Sequence, residues 1–308
     1  MEVDFFKDLE LEIKRILKGF GYPVPSFEKL RKQHIRATDA KLSYKYYDIE
    51  NLVLHFLTVT ERRIPIKKWN IHISPQLQNR TEIVNIVSML SKGEDANSLL
   101  SNRIKSRHQN DKYSHDLLRY EWGIYHLHFT KKRSKNLLFA FIHHDDIYLL
   151  DILPHQNIKL GIFTWTDPDL IQTLHDNWPH VISGYIYRTG CKETITPEQR
   201  KNARENVSMT FVTVNDGTEY MPMMGGGFTT NNHLGVAITF SKTFIEKVRK
   251  LEQYAINSEQ GIKDALNLKL DDKIEVRLVL DSNNNPAVYE VTQKADINLF
   301  LPNQEPIT

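Results

Sequence analysis

The sequence is poor in cysteine and contains no long apolar run. Cys191 is the single cysteine among 308 residues, which excludes an internal disulfide framework and a zinc site built from several cysteines. No apolar stretch approaches the roughly 20 residues that a membrane-spanning helix needs. The first residues mix acidic with apolar side chains and lack the separate basic and apolar blocks of a signal peptide. These absences lead us to expect a cytoplasmic protein without a membrane segment.

Net charge is also nearly absent, but its distribution is uneven. The 40 Lys and Arg residues almost balance the 38 Asp and Glu residues, giving a formal net charge of +2. Residues 103–135, however, carry nine basic residues against three acidic ones, and seven of the 13 histidines lie between His108 and His155. Clustered Lys and Arg attract phosphate groups, and imidazole can transfer protons or bind a metal near neutral pH. We therefore expect the function of the chain to reside in this segment.

The pattern around these histidines is typical of a small α+β fold. Alternating apolar residues predict a strand at 69–73, and helical periodicity predicts a pair of short helices after it. Three strands follow in close succession at residues 122–130, 137–143 and 147–153, and His144-Asp145-Asp146 is the predicted turn between the last two. The predicted fold class is therefore α+β, with an antiparallel β-sheet core and a helical pair, plus a second α+β unit.

The remaining elements divide the chain into three predicted segments. Residues 1–65 form an N-terminal extension of one helix and one strand, and residues 66–190 form the basic, histidine-rich core with a trailing helix. Residues 191–308 form a C-terminal α+β domain, which begins with a capping-box sequence at Thr196 and Gln199. The other predicted helices are 3–20, 81–93, 95–105, 167–178 and 241–255, and the other predicted strands are 52–59, 207–214, 234–240, 273–280 and 287–291.

Residues 69–155 resemble the small toxin ribonucleases of the RelE/ParE type. The resemblance rests on the element order, strand, two helices and three strands, on the size of the segment, and on the basic sequence from Arg119 to Arg133. Two apolar strand sequences follow it, Leu-Leu-Phe-Ala-Phe-Ile at 137–142 and Ile-Tyr-Leu-Leu-Asp-Ile at 147–152. The resemblance implies a cytoplasmic endoribonuclease that serves as a toxin or defence factor. It also implies RNA as the substrate, an inhibitory partner protein, and no metal or other cofactor.

The resemblance further implies roles for individual residues. Such enzymes remove the proton of the ribose 2′-hydroxyl with a base, stabilise the phosphate with cations and protonate the leaving oxygen with an acid. Glu121 is then the candidate base and His155 the candidate acid, while His126 or His128 could replace either. Candidate residues for binding the nucleic acid are Arg119, Lys131, Lys132, Arg133 and Lys135.

Other interpretations of the same residues stay open. His126 and His128 are two positions apart on a predicted strand, so they share a face and could bind one metal ion. This is the pattern of the HUH endonucleases, in which a tyrosine attacks the phosphodiester, and Tyr254 is the candidate nucleophile here. The histidine pair could instead line the solvated face of a strand, and the chain could be a non-enzymatic module that binds nucleic acid or protein. Trp165 is predicted to anchor the core or an interface, not to stack on bases.

Overall fold

The computed structural model describes residues 3–22, 24, 44–101, 117–130, 134–205, 210–223, 235–281 and 284–297. The protein is a mixed α+β protein with sheets rich in antiparallel pairs. The described helices are α1 (Phe5–Gly19), α2 (Tyr44–Thr60), α3 (Val84–Lys92), α4 (Leu117–Trp122), α5 (Asp169–Asn177), α6 (Pro179–Ile182), α7 (Pro197–Glu205), α8 (Gly235–Asn257) and α9 (Glu259–Ala265). The described strands are β1 (Asn70–Ile73), β2 (Ile124–His128), β3 (Asn136–His143), β4 (Asp146–Pro154), β5 (Ile186–Arg188), β6 (Val212–Thr213), β7 (Glu219–Tyr220), β8 (Val276–Leu280), β9 (Pro286–Glu290) and β10 (Ala295–Ile297).

The chain divides into two units, one made of Met1–Thr58 with Ala237–Thr308 and the other of Val59–Val236. The three predicted segments, 1–65, 66–190 and 191–308, follow different boundaries. In the first unit, helix α1 packs on strand β8 because Asp8 accepts hydrogen bonds from Arg277 and from the backbone N–H of Leu278. The two ends of the chain therefore fold together, a long-range association that local sequence patterns do not reveal.

A four-stranded sheet with the order β1-β4-β3-β2 is the centre of the second unit. Strands β2, β3 and β4 pair in antiparallel fashion, as predicted, whereas β1 pairs with β4 in parallel. The register between β3 and β4 shifts between Phe139 and Ala140. Such a β-bulge bends a strand and changes the direction of the side chains that follow.

Both faces of this sheet are buried. Leu127, Leu138 and Leu149 belong to a core that includes residues of α3, whereas Phe139 and Leu150 belong to a second core that includes residues of α5, α6 and β7. Every residue of β2 is buried as a result. The expectation that His126 and His128 line a solvated strand face is therefore wrong, because a second layer of structure covers that face.

Three predicted elements differ from the structure. Residues 52–59, predicted as a strand, lie in helix α2, and residues 235–240, also predicted as a strand, begin helix α8. Both are short apolar runs, whose periodicity does not distinguish a buried strand from a buried helix. Of the helix predicted at 95–105, the structure describes residues up to 101, which form a single 3₁₀ turn, Ala96–Leu99, after which Leu100 bridges to Leu127. The helical pair is thus reduced to α3 and a short turn in the described residues.

The capping box predicted at the start of α7 is confirmed. The backbone N–H of Gln199 donates to Thr196 Oγ1 at 3.1 Å, and the backbone N–H of Thr196 donates to Gln199 Oε1 at 2.9 Å. Each side chain therefore accepts a hydrogen bond from a backbone donor that the helix itself leaves without a partner. This cap fixes the start of the helix that carries Arg200 and Arg204, both of which contact the candidate site described below.

We expect Thr196→Ala to lower the free energy of unfolding by about 1 kcal/mol, because the N–H of Gln199 loses its acceptor. Urea unfolding followed by circular dichroism measures the loss. Thr243→Ala is the matched control, since Thr243 is an exposed helix residue whose hydroxyl donates to the carbonyl of Thr239 and caps nothing. The control should change stability by less than about 0.5 kcal/mol. Equal losses in the two variants would contradict the capping role.

No helix within the described part of the chain is long and apolar enough to cross a membrane.

Candidate active site

Strand β2 places two histidines on one face of the central sheet. His126 pairs with Phe139 and His128 pairs with Leu137 across the β2–β3 ladder. Leu137 in turn lies opposite Leu153 of β4. Side chains two positions apart on a strand point to the same side, so His126 and His128 share the face that carries Phe139. Their residual exposures are 8% and 5%.

His155 joins them from the end of β4, which is separated from β2 by β3. It follows Pro154, the last residue of β4, and its backbone N–H donates to the carbonyl of Lys135 at 2.9 Å. This bond continues the β3–β4 register by one pair, so His155 and Lys135 are cross-strand neighbours on the face of Leu137. His155 and Lys135 are both exposed. The histidine face therefore has a solvent-accessible end that carries a lysine.

Two of the three imidazoles contact one indole, that of Trp165. The ring centroid of Trp165 lies 5.0 Å from that of His126 and 5.3 Å from that of His155. His128 lies between the other two histidines, with centroid distances of 6.4 Å to His126 and 6.3 Å to His155. We call His126, His128 and His155 the histidine row. Trp165 is half-buried and also contacts Phe139, at 5.8 Å.

A backbone contact determines the tautomer of the central histidine. The N–H of Ser134 donates to Nδ1 of His128 at 3.3 Å. Because a backbone N–H can only donate, Nδ1 is the acceptor, and the proton of the neutral ring resides on Nε2. The Ser134 hydroxyl donates to the carbonyl of Asn136 and accepts from the N–H of Phe129, and these bonds hold Ser134 beside His128. His128 therefore presents a hydrogen-bond donor at Nε2.

Buried arginines of α7 hold the segment that carries Trp165. Arg204 donates to the carbonyl of Trp165 at 2.7 Å and forms two hydrogen bonds with the carboxylate of Glu121, at 2.9 and 2.6 Å. Arg200 donates to the carbonyl of Thr166 at 2.6 Å. Burial lowers the pKa of Arg200 to about 10, which still leaves the guanidinium charged at neutral pH. Residues four apart on a helix lie on one face, so α7 holds two consecutive carbonyls with two cations.

The same face also carries a carboxyl group. Asp151 pairs with Phe139 in the ladder, and its side chain accepts the N–H of Ile152 at 2.7 Å. Burial raises the pKa of Asp151 above its ordinary value. A negative charge at this position repels phosphate, so a polyanion is expected to approach from the end of the face that carries His155 and Lys135.

The structure places two predicted site residues away from the roles given to them. Glu121 does not lie at the mouth of a strand but in helix α4, where it is buried in the ion pair with Arg204. Arg119 lies over the ring of Tyr125 at 4.4 Å and donates to the carbonyl of Glu61. Tyr125 and His126 are consecutive strand residues, so Arg119 is on the opposite face of the sheet from the histidine row. The two residues are thus held by protein partners in a core.

The other basic candidates are only partly covered by the structure. Lys131, Lys132 and Arg133 lie outside the described residues. Of the two candidates that the structure describes, Arg119 and Lys135, it is Lys135 that lies beside His155.

His143 and His144 lie at the other end of β4. This strand has nine residues and is roughly 26 Å long. His144 has a positive φ of 53° in this turn, as predicted for the β3–β4 connection. Nearby, His72 contacts Asp146 at 2.8 Å, and this hydrogen bond lowers the pKa of the Asp146 carboxyl. These residues form a cluster of their own and do not take part in the histidine row.

A metal site receives little geometric support. The rings of His126 and His128 are inclined by 76° to each other. Among the described residues, no group of three or more His, Cys, Asp and Glu side chains converges in a way that could hold a metal ion. Tyr254, the candidate nucleophile of the metal-dependent interpretation, lies on α8 in the other unit.

Comparisons with protein-family models, with curated proteins and with solved structures found no match to this chain. Sequence patterns identified the three histidines but missed the groups that organise them, Trp165, Arg200 and Arg204. The spacing of Arg200 and Arg204 on a capped helix predicts that they share a face. It does not predict which groups that face contacts, because those groups are far away along the chain.

Proposed function

We propose that the histidine row is the active site of a metal-independent endoribonuclease. The proposal depends on one observation: two imidazoles of β2 and one that follows β4 come together on one face of the sheet. The outer two contact the indole of Trp165, and the middle one has a fixed N–H donor. Histidine is the side chain best suited to exchange protons at neutral pH. A row with a donor in the middle and a proton carrier on each side matches what phosphodiester cleavage by a neighbouring hydroxyl requires.

The reaction has a simple balance of bonds. The ribose 2′-oxygen attacks the adjacent phosphorus, a base accepts the 2′-proton, and the bond from phosphorus to the 5′-oxygen breaks. An acid gives a proton to that departing oxygen, so the products are a 2′,3′-cyclic phosphate and a free 5′-hydroxyl. Attack and departure occur on opposite sides of phosphorus, so the base and the acid must flank the phosphate.

The histidine row supplies a base, a donor that stabilises the phosphate, and an acid. His128 donates from Nε2 to a non-bridging phosphoryl oxygen and stabilises the charge that develops there. His126 and His155 lie on either side of it, and we assign the base to His126 and the acid to the exposed His155. Lys135 attracts the phosphate to the open end. The base thus moves from Glu121, as first expected, to His126, while Glu121 becomes a positioning residue that acts through Arg204 and Trp165.

The RelE/ParE-type resemblance remains a proposal of its own. A sheet in which a first strand is followed by a helix and then by three antiparallel strands supports it, and the basic segment that contains Lys135 agrees with RNA as the partner. On this proposal the chain is a toxin or defence factor, and an inhibitory protein restrains it in the cell. Induced expression should then stop growth.

RNA cleavage by the purified full-length chain tests the proposal. Incubation with an RNA oligonucleotide in the presence of a chelator should yield fragments that end in a 2′,3′-cyclic phosphate, which mass spectrometry identifies. The same oligonucleotide with 2′-O-methyl groups should remain intact, because it has no nucleophile. Cleavage that stops when the chelator is added, or fragments with a 5′-phosphate, would contradict the proposal and favour the metal-dependent alternative.

A non-enzymatic module is the second candidate, and the burial of His126 and His128 favours it. Side chains with less than a tenth of their surface exposed are more often part of a core than of a catalytic centre. Binding of the 2′-O-methyl oligonucleotide without any cleavage of the unmodified one would support this candidate against the ribonuclease.

A further inference from the structure

We propose that the loop between His155 and Trp165 carries an apolar wedge that separates stacked bases of the RNA at the histidine row. The wedge is the tip formed by residues 157–162, with Leu160 at its most exposed position. This inference rests on the proposed function and specifies its substrate as base-stacked RNA, such as a hairpin stem.

The tip is held in one conformation by its own backbone. Asn157 and Ile162 exchange two N–H to carbonyl hydrogen bonds, each of 3.0 Å. Inside them, Leu160 donates to the carbonyl of Asn157 and Gly161 donates to that of Ile158. Gly161 has a φ of 70°, a conformation in which a residue with a Cβ is strained. The base of the loop is also fixed, since Gln156 accepts the N–H of Trp165 at 3.3 Å.

This rigid tip exposes apolar side chains next to cations. Leu160 is 72% exposed and Ile158 is 50% exposed. Lys159 lies between them, and His155 begins the same loop. A single exposed leucine is ordinary on a protein surface. Two exposed apolar side chains on a closed tip, beside basic groups, are suited to a partner that is both anionic and apolar, and stacked nucleic-acid bases are such a partner.

Cleavage of stacked RNA requires neighbouring bases to separate, and this separation is the role that we assign to the wedge. In a helical stack, the 2′-oxygen does not lie in line with the bond to the departing 5′-oxygen, so the two flanking nucleotides must swing apart before attack. Leucine and isoleucine are among the side chains that nucleic-acid-binding proteins insert between base steps to unstack them. Because Leu160 is five residues from His155, the chain places it within about 18 Å of the acid. The unstacked base can then rest against the half-buried indole of Trp165.

Fluorescence of 2-aminopurine in a hairpin stem tests this inference. The probe is a 2′-O-methyl hairpin that the full-length protein can bind but not cleave, and anisotropy of an end label measures binding in the same sample. Unstacking raises 2-aminopurine emission, so the wild-type protein should raise it at saturation. Leu160→Ser should bind with emission near that of the free hairpin. Leu270→Ser is the matched control, because Leu270 is 69% exposed in the other unit, and it should behave like the wild type.

Cleavage rates provide the second readout. Leu160→Ser should cut a hairpin about tenfold more slowly, because the variant loses the apolar contact that offsets part of the cost of unstacking a base step. It should cut oligouridine, which hardly stacks, at the wild-type rate. If the hairpin binds and 2-aminopurine emission is the same with and without Leu160, the proposed unstacking role of Leu160 is wrong. The proposed ribonuclease activity is not affected by that result. If the wild-type protein binds no RNA, the proposed function itself fails.

Discussion

His155→Gln is expected to lower the rate of RNA cleavage by about 10²- to 10⁴-fold, the contribution of a positioned general acid or base. Glutamine can keep a hydrogen bond to the departing oxygen but cannot deliver a proton to it. Since His155 is exposed at the end of β4, its replacement should leave the folded structure and the thermal unfolding temperature nearly unchanged. Single-turnover cleavage of a labelled oligonucleotide measures the rate without interference from product release.

A change of leaving group separates an acid from a merely structural residue. A substrate that releases 4-nitrophenolate needs no proton on its leaving oxygen, so His155→Gln should cleave it at close to the wild-type rate. His144→Gln is the control, because His144 lies in the turn at the far end of β4 and should cleave both substrates normally. If His155→Gln is equally slow with both substrates, His155 is not the acid. If His155→Gln cleaves the oligonucleotide at the wild-type rate, His155 takes no part in cleavage.

Local patterns predicted the part of the site that local geometry builds. The strand periodicity around His126 and His128 is enough to place both rings on one face, because side chains alternate along any strand. The position of His155 followed from the same reasoning, since the β3–β4 turn sets the register and the register sets where β4 ends. These three residues were therefore within reach of the sequence alone.

The rest of the site depends on contacts between distant parts of the chain. Glu121 was expected to be the base of the site, but in helix α4 its carboxylate is paired with Arg204, which is 83 positions further along. Trp165 was expected to anchor the core or an interface, and it does contact Phe139, but it also contacts His126 and His155. No periodicity predicts such a partner, because a long-range contact appears in the sequence only as two unrelated polar or aromatic residues.

Burial of both sheet faces explains the remaining difference. The polar histidines of β2 suggested a face open to water, as in many antiparallel sheets. Residues of α5, α6 and β7 cover that face instead, so His126 and His128 are buried while His155 remains exposed. Burial restricts the side-chain conformations of His126 and His128 more than an open strand face would.

Glu121→Gln is expected to lower the free energy of unfolding by about 3 to 5 kcal/mol, the usual cost of removing one partner of a buried ion pair. Glu121 and Arg204 are 4% and 5% exposed at their side chains. Glutamine has almost the same shape as glutamate, so the loss comes from leaving the guanidinium charge without its counter-charge and not from a cavity. Arg204→Met should lower the free energy of unfolding by a similar amount, because it leaves the buried carboxylate of Glu121 without its counter-charge. Urea unfolding followed by tryptophan fluorescence measures both losses.

The double variant Glu121→Leu with Arg204→Met separates stability from positioning. Replacing both charges with apolar side chains removes the uncompensated charge, so the double variant should be more stable than Glu121→Gln or Arg204→Met. It still lacks the guanidinium that donates to the Trp165 carbonyl. We therefore expect RNA cleavage to stay reduced while stability recovers, because the indole is no longer held against the histidine row. If activity returns together with stability, the ion pair serves only the fold. If neither single variant loses stability, the pair is not the buried contact that the structure shows.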